Sequence, residues 1–72
     1  MEITLYRKTQ GSMGEQESQY TYECEWADVK PLEIVFAIKN DSTTVKTARY
    51  DITTRKWVIA GWSGLWDKIS LK

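Results

Sequence analysis

Cys24 is the only thiol in the chain, and the sequence has no histidine to draw off its proton, so the usual route to an activated cysteine is missing. It falls between Tyr22 and Trp26 in an alternating run, on the side expected to face inward, where a small buried thiol is the ordinary occupant. Glu23 and Glu25 share the opposite side of that run and form the nearest thing to a carboxylate pair. Glycoside chemistry needs two carboxyls flanking a cleft, roughly 5–9 Å apart, and neighbours on one exposed strand face do not provide that. One cysteine without histidine also leaves no internal disulfide and none of the usual zinc ligand sets. Gly11-Ser-Met-Gly14 and Gly61-Trp-Ser-Gly64 resemble phosphate-cradling loops only in their glycines. Neither is followed by a Lys-Ser/Thr pair, and the first runs into Glu15 and Glu17, which would repel phosphate. The expectation is a protein that is not an enzyme and uses neither cofactor nor metal.

Binding is the better-supported expectation. Net charge is zero over 72 residues, with ten acidic and ten basic side chains, yet the charges are segregated. Acids dominate residues 1–36 (Glu2, Glu15, Glu17, Glu23, Glu25, Asp28, Glu33), and bases dominate residues 37–72 (Lys39, Lys46, Arg49, Arg55, Lys56, Lys68, Lys72). Such asymmetry yields a two-sided surface if the halves separate, or mutual neutralisation if they lie on neighbouring strands. Three of the four tryptophans, Trp57, Trp62 and Trp66, fall close together. Trp57 opens an apolar run and reads as core, Trp62 sits between glycines where a turn would present it outward, and Trp66 depends on the tail. An exposed Trp beside a cation is typical of a protein–protein hot spot. The expected partner-binding residues are Glu23, Glu25, Asp28, Trp62 and Trp66. The alternative is a small barrel that binds single-stranded nucleic acid through Arg49, Arg55, Lys56 and Tyr50, near Trp57 and Lys46.

The elements that position these residues are strands, because the apolar period is two almost throughout. Ile3 and Leu5 mark a strand near residues 2–8. Thr9 to Ser18, polar and carrying two glycines, reads as a long mobile hairpin loop. Residues 19–27 form the clearest strand, with Tyr20, Tyr22, Cys24 and Trp26 on one face and Gln19, Thr21, Glu23 and Glu25 on the other. After Pro31, the run from Glu33 to Lys39 suits a central strand covered on both faces, with a helix beginning near Asp28 as the rival. Asn40-Asp41-Ser42 turns the chain. Thr43 to Ile52 is a further strand with Ala48, Tyr50 and Ile52 on one face, and a Trp57-led strand follows. In the tail, Leu65, Ile69 and Leu71 alternate as a strand would, while Trp62, Leu65, Trp66 and Ile69 have helical spacing; the strand is favoured. The fold class is therefore all-β, a single domain over residues 1–72 built as an antiparallel meander or open barrel of five to six strands.

From Pro31 onward the order of features resembles short uncharacterised proteins of phages and prophages. The residues that carry it are Pro31, Ile34 to Ile38, Val45, Ala48-Arg49-Tyr50-Asp51, Trp57 and Trp66, covering residues 31–72. The resemblance implies a phage accessory protein, of the kind that inhibits a host enzyme or anti-phage defence complex. On this reading the partner is an unidentified host protein. The edge strand of so small a sheet leads to the expectation of a monomer or an edge-strand homodimer, and the longest apolar run, Ile34 to Ile38, is far too short to span a bilayer, so no membrane is expected. The lone thiol, and an opening Met1–Lys8 without the order of a secretory signal, lead to the expectation of a cytoplasmic protein.

Overall fold

The computed structural model describes residues 1–72, and every regular element in it is a strand. The strands are β1 (Glu2–Gly11), β2 (Gly14–Lys30), β3 (Glu33–Ile38), β4 (Thr44–Asp51), β5 (Lys56–Ile59) and β6 (Lys68–Leu71). They form one antiparallel sheet in the order β5-β4-β3-β2-β1-β6. The first five follow one another as a meander, and β6 returns to pair with β1. The sheet is open, not a closed barrel. It curls so far that edge strand β5 is bridged, Trp57 to Trp66, to the segment that leads into the other edge strand, β6.

Alternation decides what lies inside. Ile3 and Leu5 of β1, Ile34 and Phe36 of β3, Ala48 of β4 and Ile59 of β5 point inward and are buried, with Cys24 and Trp66 completing one core cluster. β3 is the central apolar strand, flanked by β2 and β4. Its outward residue Ala37 is also fully buried, lying between Trp26 of β2 and Val45 of β4. Its β-branched run and the ladder on both sides explain why no helix forms after Asp28.

Four local expectations are corrected. Thr9–Ser18 is no loop: β1 and β2 continue as a paired ribbon, with Gly11 opposite Gly14 around a Ser12-Met13 turn. Gly14, at φ +104°, permits the tight reversal. Trp26 does not share the face of Tyr20, Tyr22 and Cys24. Cys24 pairs with Ile38 and Trp26 with the adjacent Ala37, so Glu25 is an extra residue, a β-bulge that shifts the phase of the strand. Trp26 therefore faces outward, 45% exposed, and Ala27 takes the inward position against the core. Ile52 lies past the end of β4, in the Asp51–Arg55 turn, and is 70% exposed. There the Asp51 carboxylate accepts the Thr53 N–H at 2.9 Å. In the tail the favoured strand is present as β6, with Ile69 and Leu71 packed on the core; only Leu65 departs from the expectation, since it precedes the strand and is exposed.

The division between inner and outer positions is directly measurable. Phe36→Ala should lower unfolding stability by about 3–5 kcal/mol, as a large ring lost from a packed core does. Ile52→Ser should change it by less than about 0.5 kcal/mol, as at an exposed position. Urea unfolding of both variants checks the assignment; comparable losses would place Ile52 in the core.

Candidate binding site

The inner face is deeper in apolar side chains near β3 than near the open end of the β1–β2 ribbon. At that end Leu5 is succeeded in the same phase by Arg7, and Cys24 and Tyr22 by Tyr20. The chain between β5 and β6 folds over these residues. Gly61 and Gly64, at φ +83° and +87°, set the backbone on either side of Trp62-Ser63, and Trp62 N–H donates to the Ile59 carbonyl at 3.1 Å. A Cβ on Gly64 would fall on the Arg7 guanidinium, and one on Gly61 would stand 2.9 Å from Lys46 Nζ. Backbone angle calls for glycine at both positions; a Cβ at Gly64 would also displace the Arg7 guanidinium from the loop, whereas the Lys46 ammonium beside Gly61 can swing aside.

Arg7 holds this loop in place. Its Nε donates to the Leu65 carbonyl and its Nη2 to the Ser63 carbonyl, each at 3.1 Å, while the guanidinium carbon lies 3.9 Å from the centre of the Trp66 ring. Stacking a planar cation on an indole adds about 0.5–1 kcal/mol to those hydrogen bonds at a partly exposed site. Tyr20 meets Trp66 edge to face at 5.5 Å. Tyr22 leans on Trp62 at 5.1 Å, and Lys46 Nζ lies 5.5 Å from the centre of that same ring. The result is a shallow, open cavity of about 390 Å³ lined by Arg7, Tyr20, Tyr22, Trp62 and Trp66 together with Gly61 and Ser63. Tyr20 is 44% exposed, whereas Trp66 is 5% exposed. The buried Trp66 Nε1 has no acceptor within hydrogen-bonding reach.

Strand phase also sorts the charges. Arg7 and Lys46 are the charged side chains at inward strand positions, and no carboxylate occupies one. Glu2, Glu15, Glu17 and Glu23 all lie in the outward phase of the β1–β2 ribbon. The sheet thus has an acidic outer side at this ribbon and a basic, aromatic inner side.

The expected partner-binding residues are divided between these two sides. Trp62 and Trp66 line the cavity. Glu23 faces outward and pairs with the N-terminal ammonium at 3.3 Å; Glu25 is the exposed bulge residue, and Asp28 is exposed opposite Val35. The residues expected to form a nucleic-acid surface are dispersed. Arg49 faces outward and donates to Glu33 at 3.3 Å, Arg55 sits in the β4–β5 turn at φ 59°, and Lys56 pairs with Asp67. Tyr50 packs on Trp57 at 5.3 Å. Sequence reasoning missed Arg7, although its phase with Ile3 and Leu5 was readable, and it assigned Tyr20 and Tyr22 to the core alone.

Two ionisable groups are displaced from their ordinary values. Burial pushes the Cys24 thiol up, against a smaller opposing pull from the N-terminal ammonium, so this sulfur is held protonated and packs as an apolar group. Asp67 is held below its ordinary value of 3.8, first by the hydrogen bond from Lys56 and then by the Lys8 backbone N–H, which donates to Oδ2 at 2.7 Å. One carboxylate thereby ties the end of the loop to both β1 and β5. A depressed folded value means that this stabilisation is fully present above pH 3.8 and is lost as pH falls through the still lower folded value. Asp67→Asn should lower stability by about 1–2 kcal/mol at neutral pH. The difference from the parent should vanish in strong acid. Urea midpoints measured across the acid range test this; a constant difference would remove the carboxylate from the account.

No protein-family model, curated protein or solved structure matches the chain.

Proposed function

We propose that this protein is a small non-catalytic protein-binding module that engages its partner through the Arg7, Tyr20, Tyr22, Trp62 and Trp66 cavity. The observation that carries the reading is the composition of that open surface. Trp, Tyr and Arg are the residue types that dominate binding energy at protein interfaces, especially when clustered around a depression. The core has its own fully buried side chains, Ile3, Leu5, Phe36 and Ile59, so Tyr20, 44% exposed, and the open parts of Tyr22 and Trp62 offer surface beyond what packing consumes. The resemblance of residues 31–72 to phage and prophage proteins extends the proposal to an accessory role. In that role the partner is a host enzyme or defence complex, met in the cytoplasm.

Single-stranded nucleic acid is a second reading, and one observation favours it: Arg7 and Lys46 beside aromatic rings on a face without carboxylates. That reading requires oligothymidylate binding that weakens steeply as salt is raised.

Affinity capture from the native host, followed by titration of the purified pair, tests the first reading. Tyr20→Ala and Trp62→Ala should each weaken binding by about 2 kcal/mol, roughly thirty-fold in Kd. Glu23→Lys with Glu25→Lys should leave affinity within a few-fold. The reverse ranking would move the interface to the acidic outer side.

A further inference from the structure

β2 is much longer than the strand beside it. β3 accompanies it only from Cys24 to Lys30; the Lys39 N–H then donates to the Glu23 carbonyl at 2.8 Å, and the chain turns away at Asn40. On its other side β2 is paired with β1 from Gly14 to Glu23. Between Glu15 and Thr21, therefore, β2 has one neighbour and one open edge.

The phase of the ladder shows which groups that edge presents. Cys24 N–H donates to the Met1 carbonyl at 2.7 Å. Even-numbered residues of β2 thus bond toward β1, and the N–H and C=O groups of Glu15, Glu17, Gln19 and Thr21 point away from it. This is a vacant strand position about 20 Å long, collinear with β3. At its inner end stand Tyr20 and Tyr22, with Trp62 leaning on Tyr22.

We infer that this vacant position receives an extended segment of the partner protein, paired backbone to backbone with Glu15–Thr21 and carrying acidic and aromatic side chains on its inner face. The inference rests on the protein-binding reading of the cavity and adds the form and charge pattern of what enters it. Edge pairing supplies affinity through main-chain hydrogen bonds, and alternate side chains supply specificity. Inward side chains of the segment would lie beside Tyr20 and reach into the cavity that Arg7 lines, with Lys46 held on the neighbouring Trp62 ring. Both cations already ride on tryptophan rings, so a cationic side chain would be repelled there, whereas a carboxylate is attracted. On the outer side it meets Glu15 and Glu17, whose one cationic neighbour on the ribbon is Lys8, 4.0 Å from Glu15; the acidic excess favours Lys or Arg at the intervening positions. Those same two acids guard the open edge against a second copy of this chain.

The test uses the isotopically labelled full chain and a synthetic peptide that alternates lysine with, in order, glutamate, phenylalanine, valine and glutamate. With the peptide bound, the amides of Glu17, Gln19 and Thr21 should exchange about tenfold more slowly or better, and the Trp62 indole resonance should shift. Gln19→Pro removes a donor that bonds to nothing within the chain. It should weaken the peptide about tenfold or more while the core resonances stay dispersed. If that variant does not fold, amide exchange in the parent still decides.

A peptide that shifts Trp62 without slowing the edge amides overturns the strand pairing and leaves the cavity reading standing. Equal binding by a permuted peptide of the same composition overturns it as well. So does protection of these amides by self-association alone, or preference of the site for oligothymidylate. Absence of any peptide effect overturns this inference, while the capture experiment with Trp62→Ala judges the cavity independently.

Discussion

Two backbone hydrogen bonds hold the arrangement together: Trp57 N–H to the Trp66 carbonyl at 2.7 Å, and Trp66 N–H to the Trp57 carbonyl at 2.9 Å. β5 and β6 are the two edges of the sheet, and this pair of bonds ties the first to the segment that leads into the second. With them the sheet is bent round its own apolar face, and a chain too short for a second layer still encloses a core. The other contacts of the loop reinforce the same seam. Asp67 reaches β1 and β5 at once, and Arg7 ties Ser63 and Leu65 back to β1. The cavity exists because these ties fix the loop on which Trp62 and Trp66 are presented.

The aromatics of the inner face divide into two sets with different duties. Phe36 is wholly buried, and Trp57 packs against the core beside Tyr50. Tyr20, Tyr22 and Trp62 stay partly open: Tyr20 meets Trp66, and Tyr22 meets Trp62, which also carries Lys46. Trp66 belongs to both sets, since its ring closes the core while its face supports Arg7. The ring is retained there by Arg7 above it, Tyr20 at its edge and the backbone bridge beneath.

Period-two alternation was enough to read most of the strands, the meander order of β1 to β5 and the inward set Ile3, Leu5 and Ala48, but not the return of β6 to β1. It was not enough where the period itself breaks. Nothing in Cys24-Glu25-Trp26 announces an extra residue, because the bulge arises from how β3 docks against β2 rather than from any local preference. The ribbon at Thr9–Ser18 was hidden for a related reason. Its residues are polar on both faces, since half of its length has no core to cover, and polarity without alternation reads as loop. The cavity was half legible: Trp62 and Trp66 stood out by type, but the gathering of Arg7 and Tyr20 around them depends on a contact between residues at opposite ends of the chain.

The bulge at Glu25 also bears on how the length of this sequence can change. Removing one residue from the interior of an ordinary strand inverts the facing of everything beyond it. Removing Glu25 would not. Cys24 would remain inward, Trp26 outward and Ala27 inward, and the pairings with Ile38, Ala37 and Phe36 would simply become continuous. Within the strands this codon is a point where a single-residue deletion preserves the facing of both flanks, at the expense only of the local bend. Related chains one residue shorter there would therefore share every inward and outward assignment made for this one.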